Sequence, residues 1–504
     1  MRGVGDQSVV HRNGATSEPM PALELVSRLA VALNDSGVRW CHWKSNEAIA
    51  RSASGDNDLD LLVARRDAGR FAEILADLGF RIARPDPDRQ VPGIVDHYGR
   101  DRASGRTVHV HAHYKLALGD DMTKNIPLPV EVGYLRSSST SGPHDVPLPR
   151  PEFEYLLFVL RMVVKHSTWD AQLDRKGRLT ASERRELAYL QDRSDMAVVL
   201  DLVDAELPFV GRRLFAACAL VAAEQAGHLR RAVTATRLLR AVRVYGRRAE
   251  MIDLPLRMWR RRARRLRSRL NGPGTGKRLD TGGVLIAIVG GDGSGKSTAV
   301  DMLVDHLGRD FAVQRFHMGK PPRSRVTRVI RRPLRGLREH GLLGAIRAPA
   351  WHDFDGRFPG LAFMVWHALT ARDRLLEYRR ARRATARGAI AVCDRFPLPG
   401  IRFMDGPRGA DVPGVRQRPV ARWLAAREQL CYAQMLPPDV LVVLRVSPEV
   451  AVARRPDDHA GAVRRRAAEV FMFDWAATGA AVVDADLPMS QVHRQVSDAV
   501  WAAL

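Results

Sequence analysis

The stretch Gly290-Gly-Asp-Gly-Ser-Gly-Lys-Ser297 constrains this chain more than any other. It fits GxxxxGK[ST] and lies between an apolar run, LIAIV, and a stretch expected to turn helical near Thr298. Its four glycines let the backbone wrap until successive N–H groups point inward at an anion. The helix N-terminus adds its partial positive charge. A strand, a glycine loop and a helix in that order open a parallel α/β sheet, so the motif predicts both a fold and a ligand. Lys296 is expected to face solvent and reach the β- and γ-phosphates of ATP, and the Ser297 hydroxyl to ligate Mg²⁺. The expected nucleotide contacts are Gly290, Asp292, Gly293, Ser294, Gly295, Lys296, Ser297 and Thr298.

Strand patterns recur after the loop at Phe311–His317, Ala389–Cys393, Val440–Val446 and Ala480–Val483, with helical stretches between. That alternation predicts a mostly parallel sheet with helices on both faces over residues 284–504. Ahead of it lies a Gly-rich linker, residues 271–283. At 504 residues the chain is too long for one core, since a domain takes roughly 100–200 residues. Residues 1–20 are polar and aperiodic and read as a disordered tail. Residues 21–150 read as a small α/β domain with a hairpin across Gly99–Gly105. Residues 151–270 read as a helical domain, with Thr180-Ala-Ser-Glu183 as a capping box.

The block after the linker resembles the thymidylate kinase family of nucleoside monophosphate kinases. Gly290 to Thr298 looks like that family's loop, with Asp292 at its acidic position. Asp394-Arg395-Phe396 resembles its Asp-Arg-aromatic motif, and Ala371-Arg-Asp-Arg374 its acceptor-phosphate helix. Pro438 to Glu449 matches the strand and turn before the family's lid, and Val482 to Ala485 the late strand beside the adenine. The resemblance implies ATP as phosphate donor and Mg²⁺ held by Ser297 and Asp394. It implies catalytic roles for Lys296, Asp394, Arg395, Arg454 and Arg455, and contact of Arg374 with a phosphorylated acceptor. Phosphoryl transfer needs positioning and charge neutralisation, which these residue types supply. Two departures fall in the acceptor half. His317-Met-Gly-Lys-Pro-Pro322 stands where the family carries Arg-Glu-Pro-Gly, which makes Lys320 a candidate phosphate contact with Arg402 nearby in sequence. Pro397-Leu-Pro-Gly400 and Met404-Asp-Gly-Pro407 replace the nucleoside-contacting Ala-Tyr-Gln stretch. Weak discrimination for thymine is therefore expected.

Residues 22–115 resemble the nucleotidyltransferase-like superfamily, through Lys44-Ser45 and the strand Asp58-Leu-Asp60-Leu-Leu-Val63. Residues two apart on a strand share a face, so Asp58 and Asp60 project together and are candidate Mg²⁺ ligands. The strand expected to bring a third carboxylate reads Val108-His-Val-His-Ala-His113 and has none. Its alternating histidines fit either a transition-metal site or an exposed strand face. An active transferase, a nucleotide-binding relic and a structural domain all stay open for this block.

Net charge is +24, from 80 basic and 56 acidic side chains, which suits nucleotides, nucleic acid or an anionic membrane face. Only eight of the 80 are lysine, so part of the surplus is compositional arginine. Residues 257–269 hold eight arginines. They read as a solvated linker helix, with peripheral contact to anionic membrane as the alternative. Nucleic acid is disfavoured because no aromatic residues interleave the arginines as stacking platforms. The longest apolar run, Leu214–Ala223, has ten residues, where a bilayer span takes about 18 to 20. The first residues lack an apolar signal core, and the four cysteines are scattered without a CxxC pair, which together point to the cytoplasm. A homodimer stays open. The leading expectation is an ATP-dependent kinase joined to a nucleotidyltransferase-like module. A nucleotide-sensing switch and a nucleotidyltransferase are its alternatives.

Overall fold

A computed structural model describes residues 21–139, 142–173, 177–271, 276–331, 358–398, 400–401 and 406–504. The expected tail over 1–20, Arg402 and the residues 402–405 lie outside the described residues. Contacts divide the chain into two compact units, Met1–Leu78 with Val91–Arg260, and Gly79–Gln90 with Arg261–Leu504.

In the first unit, strand β1 (Trp40–His42) pairs antiparallel with β2 (Leu59–Val63). β3 (Ile94–Arg100) and β4 (Thr107–His113) form the expected hairpin, and β2 pairs parallel with β4. The helical stretch does not stand apart as its own domain. Helix α1 (Pro151–His166) buries residues on all sides, and Leu156, Phe158 and Val163 share one core with Cys41, Trp43 and Leu62. A helix apolar all round must be covered on every face, so residues 21–78 and 91–150 close into one unit with the helices after them. Helix α2 (Ala181–Arg193) opens with the capping box read from the sequence, both of its hydrogen bonds being present.

The basic run lies on helix α3 (Glu250–Asn271). Its first arginine is not a surface residue. The Arg257 guanidinium donates to both Asp170 oxygens at 2.9 and 2.8 Å and to Asp253 at 3.2 Å. These three side chains are only 5, 4 and 2% exposed. Arg257 is therefore the counter-ion of a buried carboxylate pair and is unavailable to a membrane. Arg260 likewise donates to the Met122 carbonyl at 2.8 Å.

The second unit carries a five-stranded sheet of β5 (Leu285–Gly290), β6 (Val313–His317), β7 (Ile390–Asp394), β8 (Val440–Arg445) and β9 (Ala481–Asp484). All neighbours are parallel, in the order β6-β7-β5-β8-β9. Every residue of β5 and β7 is buried, which is why these strands read as unbroken apolar runs. The class is α/β, as expected. Residues 79–90 also belong here, since Arg81–Arg84 pairs antiparallel with Arg278–Leu279 inside the former linker. The four cysteines are free. No described helix is long and apolar enough to cross a membrane.

The buried ion cluster yields a prediction for the first unit. Arg257→Ala strands two carboxylates away from water, and breaking such a pair costs about 3–5 kcal/mol. Chemical denaturation followed by circular dichroism should show the first unit destabilised by that order. A loss under about 1 kcal/mol would mean the cluster behaves like an exposed ion pair.

Candidate functional site

The phosphate loop follows β5 and ends at helix α4 (Lys296–Leu307), whose first turn begins two residues earlier than the sequence suggested. Gly295 caps that helix in the left-handed region with φ 83°. Gly293 is also left-handed at φ 80°, and a Cβ there would sit 2.7 Å from the Ala451 carbonyl oxygen. Lys296 does not face solvent. It is buried, its ammonium donating to the Gly291 carbonyl and lying 3.5 Å from Ser294 Oγ. The Gly291 carbonyl and Ser294 hydroxyl thus hold that charge within the loop. Ser297, in the same first turn, lines the adjoining cleft.

Parallel register sets the partner of the loop. Asp394 pairs with Ile288 of β5 on one side and with His317 of β6 on the other, so the C-terminal ends of three strands lie side by side. Asp394 is 1% exposed, with Oδ2 at 3.6 Å from Arg315 and 3.8 Å from His317. Its Oδ1 is buried with no hydrogen-bond partner among the described residues. A carboxylate oxygen so placed is expensive unless a cation meets it.

The next residue, Arg395, holds φ at 62°, a left-handed conformation that turns the chain sharply off the strand. Its guanidinium lies 3.5 Å from Asp292, and a Cβ on Gly319 would collide with its Cδ. Asp292 also accepts from Arg466 at 2.6 Å. Burial alone would raise the Asp292 carboxyl, but the Arg466 hydrogen bond and the charges of Lys296 and Arg395 hold it below its ordinary value. Arg466 lies on helix α6 (Ala460–Met472), whose Ala467 Cα would be 2.8 Å from a Cβ on Gly291. Helix α6 thus rests directly on the phosphate loop. The sequence motifs do not single out Arg466. The one signal was its acidic partner inside the loop.

A cleft of about 720 Å³ opens beside these groups. Eight arginine or lysine side chains line it against three carboxylates, so its field favours anions. Lys320, Arg374, Arg395 and Arg455 all lie on its wall. Arg374, on helix α5 (Leu361–Thr385), is anchored by donating to the Met318 carbonyl at 2.8 Å. Its neighbour Asp373 accepts from Thr327 Oγ1 at 2.9 Å. Arg454 is set differently. It donates to the Ala485 carbonyl at 2.9 Å and approaches that of Gly293 at 3.4 Å, bracing the loop from behind.

In the first unit, three strands bring one layer of side chains together. Asp60 of β2, His111 of β4 and Asp96 of β3 are direct register partners. Asp60 Oδ1 lies 2.9 Å from Lys44 Nζ and 3.0 Å from His111 Nδ1. Burial would raise its carboxyl, but the Lys44 charge and the two histidine contacts hold it well below the usual range. Asp58 is drawn elsewhere, to His109 Nδ1 at 2.7 Å, and the other nitrogen of that ring lies 2.9 Å from Asp96. The carboxylate missing from β4 therefore comes from β3. The alternation Ile94-Val-Asp-His-Tyr98 was its only trace in the sequence. Asp60 lies on the wall of a second cleft of about 390 Å³ with Lys44 and Lys124. Burial, with Lys44 adding to it, pushes the Lys124 ammonium down to about 8.

No family model matches the chain. The uncharacterized ATP-binding protein YghR of Escherichia coli (strain K12) is 28% identical over 221 residues, 43% of this chain and 86% of its own length. YghS of the same strain, also described as an uncharacterized ATP-binding protein, is 27% identical over 225 residues, 44% of this chain and 93% of its own. A crystal structure of thymidylate kinase from Ehrlichia chaffeensis aligns with 44% of this chain and 98% of that one, at 16% identity and a TM-score of 0.25.

The loop geometry generates the next prediction. Gly293→Ala places a methyl group against the Ala451 carbonyl in a conformation costing about 1–3 kcal/mol. ATP affinity measured by calorimetry should fall at least about tenfold. Unchanged affinity would mean the loop backbone does not set the site.

Proposed function

We propose that the second unit is an ATP-dependent phosphotransferase that moves the γ-phosphate to an acceptor already carrying a phosphate. The observation that carries this reading is Asp394 Oδ1, a buried carboxylate oxygen without a hydrogen-bond partner among the described residues, set between strand ends beside His317 and Arg395, which line the cation-rich cleft together with Ser297 of the loop. ATP as donor is supported by the loop and by the two E. coli relatives, both described as ATP-binding proteins.

The chain's own groups divide the work. Backbone N–H groups of Gly291 to Ser297 hold the donor phosphates against the start of α4. Lys296 exchanges its bond to the Gly291 carbonyl for a phosphate oxygen. Ser297 Oγ and Asp394 Oδ1 have the oxygen chemistry to hold Mg²⁺, which when bound neutralises charge on the transferring phosphates. Arg395 and Arg466 are kept over the loop by Asp292, so their charges are in place before the donor arrives. Arg455 faces the same cleft from the lid side. Arg374, steadied by the Met318 carbonyl, and Lys320 take the acceptor phosphate.

Thymidylate is one candidate acceptor, and the missing nucleoside-contacting segments argue against strong selection for it. A site that hydrogen-bonds a base rejects analogues strongly, because buried polar groups would otherwise go unpaired.

ADP release should be measured against nucleoside monophosphates and phosphorylated sugars. We expect acceptor-dependent ADP release, with thymidylate favoured less than about tenfold, or ~1.4 kcal/mol, over the next acceptor. A thousandfold preference, ~4 kcal/mol, would show that other residues rebuilt a thymine pocket. Asp394→Asn should lower turnover by about a hundredfold or more. Full activity of that variant at low Mg²⁺ would make Asp394 structural.

A further inference from the structure

We infer that the first unit holds a divalent transition metal of the zinc class, ligated by Asp60, His111 and His113. This site is independent of the phosphate loop. It also differs from the paired-aspartate Mg²⁺ site that the sequence suggested, because Asp58 is engaged by His109.

Among the described residues these three form the group of histidine, cysteine or carboxylate side chains whose donor atoms converge. Asp60 Oδ1 lies 3.0 Å from His111 Nδ1 and 3.6 Å from His113 Nε2, and the two nitrogens are 3.2 Å apart. A point equidistant from all three atoms is about 1.9 Å from each, just inside zinc's bonds to imidazole and carboxylate of about 2.0–2.2 Å. An ion slightly out of their plane would meet all three at bonding distance without moving the backbone. The edges also match those of a tetrahedral face around such an ion, about 3.3 Å.

The fold holds the three donors for this geometry. Asp60 and His111 are register partners on adjacent parallel strands, and His113 follows two residues on, on the same face. Trp43 packs edge-on against the His113 ring with centroids 5.1 Å apart. The Nδ1 of that buried ring has no hydrogen-bond partner among the described residues, so its polar contacts run through Nε2. Donor chemistry selects the metal. Two imidazoles and one carboxylate suit Zn²⁺, Co²⁺, Fe²⁺ or Mn²⁺, whereas Mg²⁺ prefers oxygen alone. Lys44, 2.9 Å from Asp60, is the internal cation that an incoming ion would displace from the carboxylate, to turn into the cleft it lines. Asp96, 3.8 Å from His111 Nε2, stands on the far side of that ring, where an outer carboxylate orients a metal-bound imidazole.

The test uses the full chain, stripped with chelator and titrated with Co²⁺ alone in the absence of nucleotide. We expect visible d–d absorption saturating at one equivalent, bleached by one equivalent of Zn²⁺ and unaffected by excess Mg²⁺. His111→Ala and His113→Gln should each weaken Co²⁺ binding by about tenfold or more, the scale at which even an outer partner acts. Lys296→Ala should bind Co²⁺ as the parent does. Absence of saturable absorption in the unaltered chain would overturn the site, whatever the variants do. So would full Co²⁺ affinity in a folded His111→Ala protein.

Discussion

Burying a carboxylate at the mouth of a phosphate loop is the constraint around which the second unit is organised. Asp394 reaches that position because β7 pairs parallel with β5, and the residue after it leaves the strand at φ 62°. Several of the nearby cations are then placed by a carboxylate or a carbonyl. Asp292 holds Arg395 and Arg466, the Met318 carbonyl holds Arg374, and the loop holds its own lysine. Charges held in advance need little reorganisation when a polyanion arrives, which is what phosphoryl transfer asks of a protein.

The first unit shows the same principle with a different outcome. Asp60 lies on β2 and Asp58 just ahead of it, yet they have separate partners, because His111 stands opposite Asp60 and His109 meets Asp58. A pair of aspartates that could have shared one hard cation becomes two mixed carboxylate–imidazole clusters. Lower in the same unit, Arg257 stands between Asp170, Asp253 and Glu250, where a run of arginines had suggested only a solvated face.

What was legible in the sequence was what adjacent residues determine. The glycine loop, the apolar runs of β5 and β7 and the capping box at Thr180 are local patterns, and they are placed where local rules put them. Partners from distant segments were not legible. Asp96 reaches His111 through the hairpin register, and Arg466 meets Asp292 across 174 positions. The helical stretch reads as a domain of its own until its apolar surfaces are seen to share a core with Trp43 and Leu62. Lys296 looks solvent-facing from its motif alone and is buried, drawn in by the Gly291 carbonyl of its own loop.

The central claim is transfer of phosphate rather than its mere hydrolysis. Labelling ATP at the γ-position and following the label through a turnover with phosphorylated acceptors tests it most directly. The account predicts label on the acceptor's phosphate with the parent protein and none with a folded Lys296→Ala variant. Label released only as inorganic phosphate, or carried to the acceptor equally well by that variant, would contradict it.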